Sequence, residues 1–354
     1  MALTTHPPET DLLLPLPGPE DQWDAHTIHT HYFGFSIPEA RIGAFLYVRY
    51  QPAFPLSQGG VCVFQGTDNV EIQDMAFVDY EMTMPWPEID TDANTVTTAN
   101  GLRIEFLELG RVARITYASA DGACEIDVTQ TAVTPLLARG HVMPGEEDHH
   151  GDPGREPGGT EQFMHAIGTL KLRGEEYAID CHAPRDRSWR QVRVEKHGAV
   201  PIPPVGWSPM YFGEDLIFNQ ISFEPLDTDP AWAGLYEVGD RPSHHYAWVV
   251  VDGETREIVR VRRNVLEYHP HMYLPMRQEV EAEDDTGRVY RFTGEAIAAA
   301  CLPAWPNTSF HDSVYRWEDE QGRTAYATYQ ELWFDTYHQA MKQRARATAG
   351  APNT

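Results

Sequence analysis

Hydrophobic residues along the chain occur in short runs that are rich in aromatic and β-branched side chains and are separated by Pro, Gly or Asp-Gly. Runs of this kind, closed by turn residues, are typical of β-hairpins, and a helical period is almost absent between them. In the first half of the chain they occupy residues 29–37, 41–50, 60–65, 102–107, 111–117 and 124–129. This half is therefore predicted to form an antiparallel β-barrel.

A second series of such runs follows the Pro-rich segment 201–206 and occupies residues 216–223, 246–251 and 257–261. The Asp252-Gly253 pair between the last two runs is a strong hairpin signal. Only the tail, residues 333–346, has a helical pattern. The sequence thus predicts an all-β protein of two antiparallel barrels in tandem, with a short C-terminal helix.

The length of 354 residues is also typical of two domains. We place the boundary near residue 195. The first predicted domain is residues 1–195, which begin with an acidic, Pro-rich arm. The second is residues 196–354, which end in the helical tail.

The chain is strongly acidic, with 53 Asp and Glu against 27 Lys and Arg and a net charge of -26. Phosphate binding needs a basic surface, so nucleic acid and anionic membranes are not expected partners. No segment approaches the roughly 18 apolar residues of a membrane span, and the N-terminus lacks the basic start of a signal peptide. We expect a soluble, cytoplasmic protein without stable membrane insertion, and a homodimer stays open as an alternative.

The remaining sequence signals exclude several common classes of enzyme. The four cysteines are scattered without C-x-x-C spacing, which indicates neither a zinc ribbon nor a disulfide framework. The chain contains no G-x-G-x-x-G, no P-loop and no G-x-S-x-G, so nucleotide-binding folds and α/β-hydrolases are unsupported.

The most obvious metal candidate is the group His26, His29 and His31. On a strand, His29 and His31 face the same way, as a metal-binding pair would. The sequence places neither another nearby ligand nor a carboxylate beside them. We therefore expect no metal and no other cofactor, and keep a metal-dependent enzyme that uses these three histidines as an alternative.

Residues 181–190 carry the densest chemistry in the chain, a histidine, a carboxylate, three guanidinium groups and an indole. Side chains alternate between two faces in an extended segment. One face holds His182, Asp186 and Ser188, and the other holds Arg185, Arg187 and Trp189. Because Pro184 cannot donate to a β-ladder, we expect a bend here, at the edge of a cavity. A structural Arg–Asp clamp between two domains is the alternative.

Residues 182–189, His-Ala-Pro-Arg-Asp-Arg-Ser-Trp, resemble the H-x-x-R-D-x-S-W signature of the AttH-like and carotenoid hydratase-like superfamily. The resemblance implies two lipocalin-like β-barrels joined side by side. It also implies chemistry on hydrophobic molecules, since characterised members hydrate unactivated alkenes or steer cyclisations. Members usually have Gly after the Trp, where this chain has Arg190, so the backbone at this point departs from the pattern.

Protonating an alkene requires an acid that stays protonated near neutral pH, which burial of a carboxyl group achieves, and aromatic faces that stabilise the resulting cation. Asp186 is the first candidate and Glu331, close to Trp333, the second. Arg185 and Arg187 oppose this role for Asp186, because nearby positive charge favours an ionised carboxylate. An ionised Asp186 would act as a base or orient His182. The predicted substrate-binding residues are Trp189, Arg185, Arg187, Tyr211, Trp248 and Tyr268.

The resemblance therefore implies an enzyme of the hydratase, dehydratase, isomerase or cyclase type. It would act by acid–base chemistry on a carbon–carbon double bond of a hydrophobic small molecule, such as an isoprenoid, in a barrel cavity. The alternative is a non-catalytic, lipocalin-type carrier of a hydrophobic ligand. An enzyme should place Asp186 or Glu331 in the cavity, whereas the lining of a carrier can be entirely apolar.

Overall fold

A computed structural model of the protein describes residues 5–14, 23–138, 158–192, 204–223, 244–304 and 308–350. Within these ranges most residues lie in β-strands, with one α-helix, α1 (Asp335–Gly350), and 3-10 turns at Pro8–Leu12, Pro38–Ala40 and Ile72–Asp74. The first strands are β1 (Thr27–Ile37), β2 (Ile42–Gln51), β3 (Leu56–Gln65), β4 (Phe77–Pro85), β5 (Glu88–Asp90), β6 (Thr95–Thr97), β7 (Arg103–Glu108), β8 (Val112–Ala118), β9 (Cys124–Ala132), β10 (Leu137–Ala138), β11 (Gly158–Leu172) and β12 (Glu175–Val192). The later strands are β13 (Val205–Tyr211), β14 (Leu216–Phe223), β15 (His244–Val251), β16 (Glu254–Tyr268), β17 (Pro275–Asp284), β18 (Val289–Leu302), β19 (Thr308–Asp319) and β20 (Thr324–Phe334).

Strands β1–β12 form one curled antiparallel sheet. Its hydrogen-bonded order is β4-β3-β2-β1-β12-β11-β9-β8-β7-β6-β5, with β10 beside β11, so β4 and β5 are its two edges. The inner face packs an apolar core that includes Phe33, Leu46, Val63, Phe106 and Ile115. This sheet is a half-barrel that stays open between β4 and β5.

Strands β13–β20 form a closed barrel in which every strand pairs with its neighbours in sequence and β20 returns to β13. The turn between β15 and β16 is Asp252-Gly253, with φ of 52° and 79°. Positive φ at both positions is what a two-residue type I′ hairpin requires, so the predicted Asp-Gly hairpin is present. Phe218, Val249, Trp317 and Tyr329 fill much of the barrel interior.

The two sheets pack against each other through the outer face of β1, β2 and β3. Every residue of β1 is buried, whereas burial alternates along β8. Alternation indicates one wet face, and continuous burial indicates that both faces are covered. Ring pairs cross the interface, such as Phe45 with Phe310 at 5.5 Å between centroids. The functional surface is therefore expected where the sheets meet.

The predicted all-β class, with two barrel-like sheets in tandem and a C-terminal helix, is confirmed. The helix begins at Asp335, two residues beyond the predicted start, because Trp333 still pairs with Ser309 in the barrel ladder. The proposed boundary near residue 195 lies outside the described residues. No helix in the described part of the chain is long and apolar enough to cross a membrane.

Candidate active site between the two sheets

A cavity of about 80 Å³ lies between the half-barrel and the closed barrel. Its polar lining is Thr30, Tyr32, Tyr47, Glu161, Asp186, Ser188 and Gln330. Its apolar lining is Phe45, Val205, Trp207, Ile221, Ala304, Phe310 and Leu332. The sequence had placed the site inside a barrel. The structure places this cavity outside the barrel, because the outer face of the barrel packs on the half-barrel and leaves space between them.

Four of the polar residues form one row across four neighbouring strands. The ladder pairs Tyr47 with Tyr32, Tyr32 with Asp186, and Asp186 with Glu161. Side chains directly opposite in an antiparallel sheet have Cβ atoms about 4.5–5.5 Å apart. Two phenols and two carboxyl groups thus stand side by side on the wall formed by the half-barrel.

Strand β12 presents this row because it continues through the motif without interruption. It pairs with β11 in one register from Trp189 to Glu175, so the bend expected at Pro184 is absent. The irregularity lies later, where the pairing with β1 shifts and Arg190 has a φ of 53°. Gly adopts this left-handed conformation without strain. Arg190, which stands where members of the superfamily usually have Gly, is therefore the one residue of the segment 181–190 with a positive φ.

The opposite face of β12 holds the N-terminal arm. The Arg185 guanidinium lies 2.9 Å from the Asp11 carboxylate, and its Nε donates to Gln162 at 2.7 Å. Arg187 donates to the backbone carbonyls of Thr30 and Leu13. Desolvation lowers the pKa of Arg187 to about 10, against the opposing effects of Tyr50, Asp11 and Asp186. Arg185 thus forms a buried structural ion pair, but its carboxylate partner is Asp11 and not Asp186.

The other predicted site residues lie outside this cavity lining. His182 is half-buried and stacks on Tyr211, with 3.8 Å between the ring centroids. Trp189 packs edge-on against His6, and Trp248 packs edge-on against Phe163. The structure thus brings Asp186 to the cavity and leaves these rings outside its lining.

Glu331 points into the closed barrel. It accepts hydrogen bonds from Arg263 at 2.7 Å and from Trp333 at 3.0 Å, and also one from the Tyr329 hydroxyl. Tyr268 is close by, edge-on to Trp333. This arrangement is a buried ion pair between Glu331 and Arg263, away from the cavity lining.

The sequence did not single out two further carboxyl groups, Glu161, which lines the cavity, and Asp312, which does not line it but acts on the pKa of Tyr32. Glu161 is 3% exposed and accepts a hydrogen bond from Asn219, whose Oδ1 accepts the Trp207 indole N–H at 2.9 Å. Through Asn219, these two hydrogen bonds link the Trp207 ring of the closed barrel to the Glu161 carboxylate of the half-barrel. The second group is Asp312 on β19, directly opposite Gln330.

Burial raises the pKa of Asp312 well above its ordinary value, although hydrogen bonds from the Ser313 backbone and Gln330 act in the other direction. The pKa of Tyr32 is also raised, first by burial and then by the charge of Asp312. Asp312 therefore holds its proton more strongly than an exposed aspartic acid does, and it acts electrostatically on a phenol that lines the cavity. A buried carboxyl group with a raised pKa is what the acid role predicted for Asp186 or Glu331 requires.

The candidate metal-binding histidines have other surroundings. The backbone of His26 bonds to Asp24, and His31 is buried. The Nε2–H of His31 donates to the Asp11 carbonyl at 2.9 Å, which leaves Nδ1 to accept from the Tyr50 hydroxyl at 2.9 Å. His29 packs against Trp23. Among the described residues, no group of three or more His, Cys, Asp or Glu side chains could hold a metal ion.

Burial of His31 predicts that the free energy of unfolding falls in mild acid. Burial, reinforced by Arg187, holds the pKa of His31 well below 6.5. The unfolded chain takes up a proton below about pH 6.5 and the folded chain does not, so stability falls as the pH drops. Between pH 7 and pH 5 this amounts to about 2 kcal/mol.

Urea unfolding of the wild type and His31→Gln at both pH values measures this effect. The pH-dependent loss should be about 2 kcal/mol smaller in the variant. An equal loss in both proteins would show that His31 does not remain neutral in the fold.

A family model described as a domain of unknown function (DUF7064) matches residues 17–334. No curated protein matches the sequence. Among solved structures, the chain is similar to kievitone hydratase from Nectria haematococca, with 13% identity, 95% of each chain covered and a TM-score of 0.48. It is also similar to CghA, with 10% identity, 89% of this chain and 90% of that chain covered, and a TM-score of 0.49.

Proposed function

This chain belongs to the DUF7064 family, a domain of unknown function, and we propose that it adds water to, or removes water from, a carbon–carbon double bond of a small hydrophobic molecule. An isomerase or cyclase would use the same first step, protonation of the double bond. The observation that carries the proposal is the row Tyr47, Tyr32, Asp186 and Glu161, which faces an apolar wall across the cavity.

The acid in this proposal is Asp312, acting through Tyr32. The alkene takes a proton from the Tyr32 hydroxyl while Asp312 supplies one to the phenol oxygen. Asp312 is a suitable source, because burial raises the pKa of its carboxyl group well above the ordinary value. The electron pair of the double bond forms the new C–H bond, and positive charge develops on the neighbouring carbon.

The base is Asp186. A water molecule attacks the cationic carbon, its oxygen forms the new C–O bond, and its surplus proton passes to the Asp186 carboxylate. The Ser188 hydroxyl lies 3.4 Å from this carboxylate. Loss of that proton to solvent and reprotonation of Asp312 complete the cycle, so the net change is addition of H and OH.

Aromatic faces stabilise the cation before water adds. Tyr32 and Phe45 lie 5.2 Å apart between ring centroids, and Tyr32 and Trp207 lie 5.8 Å apart. The face of an aromatic ring attracts positive charge without reacting with it. These rings belong to the lining itself, so the cation would form in contact with them.

The size of the cavity limits what enters it. Its free volume of about 80 Å³ is smaller than the roughly 150 Å³ cavity known to bind benzene. A short branched segment, such as the end of an isoprenoid chain, fits this space better than a polycyclic molecule does. We infer that the reacting end enters the cavity and that the rest of the substrate lies outside it.

Incorporation of labelled oxygen tests the proposal against the carrier alternative. The purified protein is incubated in H₂¹⁸O with alkenes that carry a branched terminal double bond, and the products are analysed by mass spectrometry. The expected product is an alcohol that contains one ¹⁸O, and its formation should slow as rising pH ionises Asp312. Binding of the alkenes without label uptake across the panel would favour the carrier.

A further inference from the structure

The N-terminal arm, residues 5–14, docks on the face of β12 that points away from the cavity. It begins with a bridge from Thr5 to Leu137 on β10. The arm then forms the 3-10 turn Pro8–Leu12, in which Asp11 is only 1% exposed. A carboxylate is almost never buried this deeply unless it is paired. The contacts of Asp11 therefore show what the docked arm does.

The Asp11 carboxylate lies among ordered hydrogen-bond donors. Arg185 Nη1 is 2.9 Å from one carboxylate oxygen, and Arg185 Nη2 and the backbone N–H of Gly110 donate to the other oxygen at 3.2 Å and 2.6 Å. Gln162 orients both donors, because its Oε1 accepts from Arg185 Nε at 2.7 Å and its Nε2 donates to the Gly110 carbonyl at 2.9 Å. Charge-assisted bonds of this kind suit any small carboxylate, whether or not it is attached to the chain.

A second arginine links the arm to the cavity wall. The buried Arg187 guanidinium donates to the Leu13 carbonyl of the arm and also to the Ser188 carbonyl of β12. Ser188 and Asp186 line the cavity and alternate along the strand with Arg185 and Arg187. Each arginine that holds the arm is thus next in sequence to a residue of the cavity wall. A shift of the strand at the arm therefore also moves the cavity residues.

We propose that Asp11 is a positioning residue for the cavity, and that its docked carboxylate holds β12 where Asp186 meets Tyr32 and Glu161. The inference rests on the proposed function for the role of Asp186, whereas the contacts of Asp11 stand without it. Removal of the Asp11 carboxylate deprives the buried Arg185 guanidinium of that counter-charge, which is costly, so the guanidinium and its strand shift. A free carboxylate bound in the vacated place reverses the shift.

Rescue of Asp11→Gly by formate tests the proposal on the full chain. Formate carries the same carboxylate, and glycine leaves it the space of the lost side chain. In the labelled-water assay kcat should fall by about tenfold or more with KM nearly unchanged, because a small misplacement of Asp186 slows the reaction without removing a substrate contact. About 0.2 M sodium formate should restore most of kcat by mass action, whereas sodium chloride at the same concentration should not.

Hydrogen–deuterium exchange follows the strand itself and needs no substrate. Amide exchange in residues 184–190 should be at least about tenfold faster in Asp11→Gly and should slow again in formate. The wild type, whose carboxylate is in place, should not respond to formate. Asp11→Gly combined with Arg185→Met is the matched control, because it lacks the guanidinium that would bind formate. If Asp11→Gly does not fold in chloride, formate should restore its folding and chloride should not.

The outcomes separate this inference from the proposed function. Equal effects of formate and chloride on Asp11→Gly, an equal formate effect in the double variant, or wild-type exchange and turnover in Asp11→Gly would overturn the positioning role. Label uptake by the wild type together with any of these results would leave hydration standing. Absence of label uptake by the wild type would contradict hydration, and the exchange measurements would still decide whether Asp11 positions β12.

Discussion

Asp186→Asn should lower turnover by about 100-fold or more while the protein still folds. Asparagine keeps the size of the side chain and can still accept a hydrogen bond from Ser188, but it cannot take up the proton of the attacking water. The side chain lines the cavity, and the arginine clamp of the same strand is closed by Asp11. Its replacement therefore leaves the buried ion pair between Arg185 and Asp11 in place.

The measurement pairs a melting curve with the labelled-water assay. Asp180→Asn is the matched control, since Asp180 lies on the same strand and pairs with His165 at the surface. That exposed pair is expected to contribute less than about 1 kcal/mol, so the control should behave as the wild type in both assays. A large fall in melting temperature with near-normal turnover in Asp186→Asn would identify Asp186 as a structural residue.

The sequence predicts the fold well because the fold depends on local patterns. Aromatic and β-branched runs, Pro and Gly punctuation and the Asp252-Gly253 turn are all properties of neighbouring residues. The alternation along residues 182–189 also predicts that Asp186 and Arg185 face opposite ways, as they do. Closure of a barrel depends on distant edge pairing, which explains why the open edges at β4 and β5 were not foreseen.

The site was harder to predict because it is assembled across the chain. Tyr32, Glu161 and Asp186 meet through the register of three strands, and Asp312, on the other sheet, acts on Tyr32 electrostatically. No spacing in the sequence encodes those registers. On β20, moreover, residues 327–333 are all buried, so alternation could not show that Gln330 faces the cavity and Glu331 the barrel interior.

Glu331→Gln should lower the free energy of unfolding by about 3–5 kcal/mol. Glu331 and Arg263 are both fully buried, and Arg263 Nη1 lies 2.7 Å from the Glu331 carboxylate. Glutamine can still accept hydrogen bonds from Trp333, but it cannot neutralise the guanidinium. The cost arises because the variant leaves a charge in the barrel interior without its counter-charge.

Urea unfolding measures this loss, with Asp127→Asn as the control that breaks an exposed ion pair and should cost less than about 1 kcal/mol. Replacing both partners, as in Arg263→Met with Glu331→Leu, removes the charge as well as its partner and should recover much of the stability. Well below its melting temperature, Glu331→Gln should retain turnover, because Glu331 does not line the cavity. Loss of turnover with unchanged stability would instead assign the acid to Glu331, and with it a site inside the closed barrel.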